Sequence, residues 1–292
     1  MHYTGEVYRH PMEGYTPLLE VTIGCSHNEC TFCTMYRETP FRVSPTEHIK
    51  EDLQELKSVY GHLKRINLVN ADPFALSSDK LGTIASLVIE AFPDIETITC
   101  YASIKNLKNK SVDDLKMLKA LRYNDLHIGI ETAYAPALKM MNKGFTVEDA
   151  YTQLSKLKAA GFRYDALLML GSASKGNSEI NVRETAKLLN ETQPYMVSIM
   201  PTSVTLGSEL EVLCKNGEYI ESTELEMLEE EMLLIRSLKL EDSYFFGSHN
   251  FNLVPISGNL NTDKDKILTH IDEAIKTIDP SILNGVKPRG SL

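Results

Sequence analysis

Three of the five cysteines, Cys25, Cys30 and Cys33, fall within nine positions, separated by four and then two residues. Thiolates are soft donors that select iron–sulfur clusters, zinc or copper over oxygen-seeking cations. A structural zinc would want a fourth ligand, and His27 is the nearest candidate. Plain buried or redox-active thiols need no metal. The most economical reading is a [4Fe–4S] cluster in which one iron lacks a protein ligand and stays open to a small molecule. Cys100 and Cys214 are too dispersed to complete a second set of three, and an odd total argues against a disulfide scaffold.

The elements that must position this loop are legible on both sides of it. A β-rich run at 17–23 ends at Gly24 and feeds directly into the cysteines. Beyond them Ser44, Pro45 and Glu47 predict a helix start, with a serine cap, a proline at the first helical position and a carboxylate three residues past the cap. Ile49, Leu53, Leu56 and Val59 then recur at helical spacing until Gly61. Strands at 65–70, 95–100, 126–131, 164–170 and 195–200 alternate with helices at 78–91, 112–121, 146–160, 181–189 and 223–237, and Thr146 with Asp149 makes a second cap. Runs such as 96–100 and 166–170 are short and largely apolar, as parallel strands covered by helices require.

Six strand–helix units predict an α/β fold with right-handed crossovers. A complete TIM barrel has eight units, so the expected architecture is a partial (β/α)6 TIM-like barrel with a C-terminal closing extension. The barrel domain is expected over 1–240, including an N-terminal extension. Residues 241–292 are expected to pack on or close it, with weak periodicity over 242–260 and a helix at 263–278. The run 218–231 carries seven glutamates and reads as a solvated helix face. In α/β barrels the carboxyl ends of the strands bear the active site, so a metal-binding loop after the first strand points to chemistry rather than to a staple.

Forty acidic against thirty basic side chains give a formal charge of -10, which repels nucleic acid over most of a surface. A small-molecule substrate is easier to accommodate. Hydrophobic residues at 42% and charged residues at 24% exclude a mainly disordered chain. There is no run of about eighteen apolar residues, and the polar opening stretch lacks a leader pattern, so a cytoplasmic protein is expected.

The loop resembles the Cys-x3-Cys-x-aromatic-Cys signature of the radical S-adenosylmethionine (SAM) superfamily, with Phe32 in the aromatic position and one extra residue making it Cys-x4-Cys-x2-Cys. Further motifs are similar to the Elp3 and coproporphyrinogen-oxidase-like branch and stand in the same order. Asn70, Ala71, Asp72 and Pro73 occupy the place of the Gly-Gly-Glu-Pro segment, whose backbone helps hold the methionine amino group. Gly129-Ile130-Glu131-Thr132 resembles the segment whose acidic or amide side chain meets the SAM ribose, and Lys143, twelve residues past Glu131, stands where that branch has an arginine for the methionine carboxylate. A sheltered carboxylate needs a counter-charge, which lysine supplies as a point charge without arginine's fork.

The resemblance implies one [4Fe–4S] cluster on Cys25, Cys30 and Cys33, SAM as the second cofactor, and an external one-electron donor such as flavodoxin or ferredoxin. It implies reductive cleavage of SAM and hydrogen abstraction from a substrate. The branch's acid on the fifth strand is missing at Leu167, the nearest being Asp165; Met169 is expected in the core, and Gly171 to let adenosine approach the backbone. Hydroxyls at Tyr101, Ser103, Thr202, Ser203 and Thr205 are substrate-side candidates that equally suit turns and caps. His27, Tyr36 and Arg37 flank the cluster loop, and His249 or Asn250 is a candidate for lining the cavity. The competing class is a non-enzymatic iron–sulfur protein for electron transfer or redox sensing, which needs no open iron.

Overall fold

The computed structural model describes residues 1–289. In chain order the first elements are β1 (Leu18–Glu20), β2 (Thr22–Ile23), β3 (Arg42–Val43), α1 (Thr46–Tyr60), β4 (Arg65–Val69), α2 (Ser78–Ala91) and β5 (Thr97–Ala102). There follow α3 (Ile104–Lys108), α4 (Val112–Ala120), β6 (Tyr123–Glu131), α5 (Ala135–Met140), α6 (Val147–Ala159), β7 (Arg163–Leu170) and α7 (Ser178–Thr192). The last are β8 (Met196–Pro201), α8 (Glu209–Lys215), α9 (Glu224–Ser237), β9 (Tyr244–Gly247), β10 (Ile256–Asn259), α10 (Lys264–Thr277) and α11 (Pro280–Leu283). The fold is mixed α/β with an eight-stranded, largely parallel sheet in the order β1-β4-β5-β6-β7-β8-β9-β10, the layout of a partial TIM-like barrel. Among the described residues no helix is long and apolar enough to cross a membrane.

By its internal contacts the chain divides into two compact units. The first comprises Met1–Asn28, Tyr36–Gly129 and Thr152–Tyr164. Here β1, β4, β5 and β6 are parallel neighbours, with Leu18 opposite Asn67, Arg65 opposite Thr97 and Cys100 opposite Leu126. Leu19, Leu68, Ile98 and Leu126 are fully buried between strands and helices. A buried charge network fastens the N-terminal segment: Glu13 accepts from Arg65 Nε at 3.0 Å and meets His127 Nε2 at 3.1 Å, while Arg65 also holds Asp125 at 3.1 Å. Burial pushes the Glu13 carboxyl up, but the bonds from His127 and Arg65 outweigh it, so Glu13 ionises well below the usual carboxylate range.

The expected cap of α1 is corrected. The helix begins at Thr46, with Pro45 in the cap position and no side-chain capping bond. The Ser44 N–H is taken by the Val21 carbonyl at 3.0 Å, next to the short β2–β3 pairing, so Ser44 belongs to the extended segment.

The second unit comprises Glu29–Met35, Ile130–Tyr151 and the described chain from Asp165. Within it β7, β8 and β9 are parallel, with Leu170 opposite Pro201 and Ser198 opposite Phe246, and β10 returns antiparallel with Ile256 opposite Gly247. The weakly periodic tail therefore contains a seventh parallel strand, held by the buried Phe245 and Phe246. Helix α9 has a Thr223–Glu226 capping box and packs against α7 and α10.

The solvated-face reading of 218–231 is overturned, because Glu224, Glu230 and Glu231 are buried. Glu224 and Glu231 recur with Met227, Leu228, Leu234 and Ile235 at spacings of three and four, which places them on the stripe that faces the core.

Candidate functional site

Candidate residues occur in both units. In the first, Gly24 leads into Cys25 with φ at +72°, and a Cβ there would stand 2.5 Å from the Thr39 carbonyl oxygen. Only glycine fits that approach. Cys25 accepts the Asn28 backbone N–H at 3.4 Å, and Asn28 Nδ2 donates to the Tyr36 carbonyl at 2.8 Å, which folds the loop back on itself. The Ser26 hydroxyl donates to Asp72, and Asn106 Nδ2 lies 3.5 Å from the same carboxylate oxygen. The first cysteine's neighbour is thus tied to the motif after β4. Burial raises the Asp72 carboxyl pKa, and the bonds from Ser26 and Asn106 oppose that rise.

Asn70 is locked in this motif. Its side chain donates to Glu20 at 2.9 Å, and its carbonyl accepts the Thr22 hydroxyl at 2.5 Å and the Asp72 N–H at 2.6 Å. Ala71 follows in the left-handed region with φ at 45°. His27 Nδ1 lies 3.5 Å from Lys105 Nζ, and since the ammonium can only donate, that ring nitrogen is the acceptor.

In the second unit the loop's later half is pinned by two backbone bonds and one from a side-chain amide. Thr31 N–H donates to the Met141 carbonyl at 3.2 Å, Leu210 N–H to the Thr31 carbonyl at 2.8 Å, and Asn142 Nδ2 to the Glu29 carbonyl at 2.9 Å. Phe32 is buried with Met141, Met169, Leu210 and Tyr219, and Cys30, Cys33 and Cys214 pack against that cluster. Met169 is core, as expected. Cys214 shares the apolar surroundings of two loop cysteines although it lies far from them in sequence, whereas Cys100 is fully buried.

Glu131 and Lys143, read separately from their motifs, are brought together in a 2.8 Å ion pair, each side chain 11% exposed. Glu131 has φ at 64°, so the chain turns left-handed where β6 ends and aims the carboxylate at Lys143. Lys143 also lies 5.7 Å from the centre of the Phe32 ring, within reach of a cation–π attraction.

Several substrate-side candidates have local duties. Ser103 caps α3, accepting the Asn106 N–H at 3.2 Å, and so is a helix cap. Tyr101 lies beside the His127 ring. Thr202 and Ser203 are buried, the Ser203 hydroxyl 3.5 Å from the Arg289 carbonyl, while the Thr205 carbonyl accepts the Ser208 N–H in a turn. Asp165 is fully buried and accepts the Ser198 hydroxyl at 2.9 Å near the start of β7.

Gly171 has φ at +73°, and Ser222 and Met227 stand at ordinary contact distance, 3.4–3.5 Å, from where its Cβ would be. Asn250 is exposed, and His249 packs on Phe251 while accepting its N–H at 3.2 Å. Asn252, not singled out from sequence, lines a cleft in its place. Glu230 was also missed; it accepts from Ser178 at 2.7 Å, Asn181 at 2.8 Å and the Gly171 N–H at 3.3 Å.

Three thiols on one short loop, with a backbone N–H already donated to one of them, form a donor set suited to an iron–sulfur cluster. The family is shown independently. The chain belongs to the Radical SAM superfamily, whose family model matches residues 19–189, more than half of its length. Enzymes of this superfamily use a [4Fe–4S] cluster and SAM, and they need an electron donor and a substrate.

Among solved structures, the archaeal Elp3 of Methanocaldococcus infernus aligns with a TM-score of 0.55 at 16% identity over 94% of this chain and 64% of that one. Methylornithine synthase aligns with a TM-score of 0.52 at 15% identity over 94% of this chain and 82% of that one. At such identities the likeness is one of fold. In sequence, the tRNA uridine(34) acetyltransferase of Methanocaldococcus jannaschii is 30% identical over 122 residues, 41% of this chain and 22% of that protein. The Methanocaldococcus infernus counterpart is 28% identical over 137 residues, 46% of this chain and 24% of that protein. The chain spans less than a quarter of the length of these curated relatives.

Proposed function

We propose that the chain binds one [4Fe–4S] cluster through Cys25, Cys30 and Cys33 and uses it with SAM to abstract hydrogen from a small-molecule substrate. The observation that carries this reading is the cysteine loop, with Cys25 beside the Asn28 N–H and Cys30 and Cys33 flanking the buried Phe32. Together the cluster and SAM supply reductive cleavage of the C5′–S bond and removal of a hydrogen atom from the substrate. The chain's own residues bind and orient. Backbone groups of Asn70, Ala71, Asp72 and Pro73 serve the methionine amino group, Glu131 the ribose hydroxyls and Lys143 the methionine carboxylate. The bonds from Ser26 and Asn106 to Asp72 keep the motif and the loop in register. The Glu131–Lys143 pair is satisfied internally, so engaging SAM exchanges one charge-assisted bond for others.

In this reading residues 1–240 form the catalytic domain and 241–292 the closing extension, and a cytoplasmic flavodoxin or ferredoxin supplies the electron. The net charge of -10 favours a small substrate over a nucleic acid. After anaerobic reconstitution, iron and sulfide should each approach four per chain, and dithionite with SAM should yield 5′-deoxyadenosine. A stable content near eight irons would overturn the single cluster. No SAM binding by the loaded, reduced protein would return the chain to electron transfer.

A further inference from the structure

The second unit holds a small cleft, partly open to solvent and roomy enough for one small polar group, at the carboxyl ends of two parallel strands, where Leu170 closes β7 and Pro201 closes β8. Glu224, Glu231, Asn252 and Arg289 supply its polar lining. Two of these are matched to each other: Glu224 accepts Arg289 Nη2 at 2.6 Å and the Lys287 N–H at 3.0 Å, while Arg289 Nε donates to the Phe251 carbonyl at 2.9 Å.

The other two are not matched. Glu231 Oε1 and Asn252 Oδ1 are buried without a hydrogen-bond partner, in residues only 1% and 9% exposed. The orientation of the Asn252 amide is fixed by its nitrogen, which donates to the Ile199 carbonyl at 3.1 Å and the Gly247 carbonyl at 2.6 Å. Asn252 Oδ1 is therefore an acceptor, and Glu231 Oε1 becomes one when its carboxyl ionises; both residues line one cleft, and a buried acceptor without a donor is costly. An anion finds no available cation, since Arg289 is held by Glu224, and an apolar group would leave both oxygens unsatisfied.

We propose that this cleft binds the primary ammonium group of a small-molecule ligand, which donates to Glu231 Oε1 and Asn252 Oδ1. Calling that ligand the substrate rests on the radical SAM reading, under which strand ends face the reaction; binding of the ammonium group does not. Burial holds the Glu231 carboxyl up to about 8, so near pH 7 it is neutral until a cation arrives. Ligand binding then ionises it and releases close to one proton.

The probe is methylammonium chloride, titrated calorimetrically into the cluster-loaded protein at pH 7 in phosphate and in HEPES. Sodium chloride and tetramethylammonium chloride, which carries the charge without N–H donors, are the controls. Methylammonium alone should bind, the buffer dependence should report proton release, and Glu231→Gln should weaken binding about tenfold or more. Equal binding of tetramethylammonium, no binding of methylammonium, no proton release, or unchanged affinity in Glu231→Gln would each overturn the inference. SAM cleavage is scored separately on the same samples. Cleavage without methylammonium binding removes only the ammonium site, whereas methylammonium binding without SAM cleavage keeps the site and removes its assignment to the substrate.

Discussion

Glu231→Gln should stabilise the chain, and by more as the pH rises. The Glu231 carboxyl is fully buried, and burial pushes it from 4.5 up to about 8. Between those values the unfolded chain ionises this group while the folded chain keeps it neutral. The folded pKa is the higher one, so the stability it contributes is fully present below 4.5 and is lost as the pH climbs toward 8. The loss is about 1.4 kcal/mol per pH unit, which from 4.5 to 7 amounts to about 3 kcal/mol. Glutamine has nearly the same shape and no charge to bury, so it escapes this penalty. Urea denaturation of wild type and variant in amine-free buffers at pH 5, 6, 7 and 8 measures the difference directly. It should be small at pH 5, near 3 kcal/mol at pH 7, and level off above pH 8. A difference that does not change with pH would refute the reasoning, because it would mean that Glu231 ionises alike in both states.

Cys25→Ala, Cys30→Ala and Cys33→Ala should each lose most of the iron and its visible absorbance, whereas Cys100→Ala and Cys214→Ala should keep them; equal loading in all five would contradict the ligand assignment. Gly24→Ala should destabilise the loop by about 2 kcal/mol or more, since it combines a left-handed φ with a 2.5 Å clash against the Thr39 carbonyl. A cluster content and urea midpoint equal to wild type would show that the loop can shift at no cost. At matched cluster content, Glu131→Ala and Lys143→Ala should each weaken SAM binding about ten- to 150-fold, equivalent to about 1.5–3 kcal/mol for a charge-assisted bond. Unchanged binding in both would refute these two roles while leaving the enzyme class intact.

The alternating architecture was legible because parallel strands covered by helices need short apolar runs, and 96–100 and 166–170 supply them. The strand Tyr244–Gly247 was not, since four residues give no periodicity to count and the polar stretch from Ser248 masks it. The short helices α3, α5 and α8 escaped for the same reason. In α9 the misreading came from counting glutamates rather than placing them. Glu224 and Glu231 share the spacing of Met227, Leu228, Leu234 and Ile235, and that spacing alone would have flagged two carboxylates on a core-facing stripe.

At the site, the cysteine loop and the segments Asn70–Pro73 and Gly129–Thr132 could be singled out from residue type and order. The ion pair between Glu131 and Lys143 could not, because it depends on a left-handed turn at Glu131 that no local preference announces. The link from Ser26 to Asp72 is likewise a product of folding, joining residues 46 positions apart.

The central claim is that three cysteines leave one iron of the cluster open to SAM. Its most direct measurement is electron paramagnetic resonance of the reduced, anaerobically reconstituted protein before and after SAM is added. The cluster signal should shift on addition of SAM and stay unchanged with an analogue lacking the amino and carboxylate groups; an intact, reduced cluster whose spectrum ignores SAM would contradict the claim.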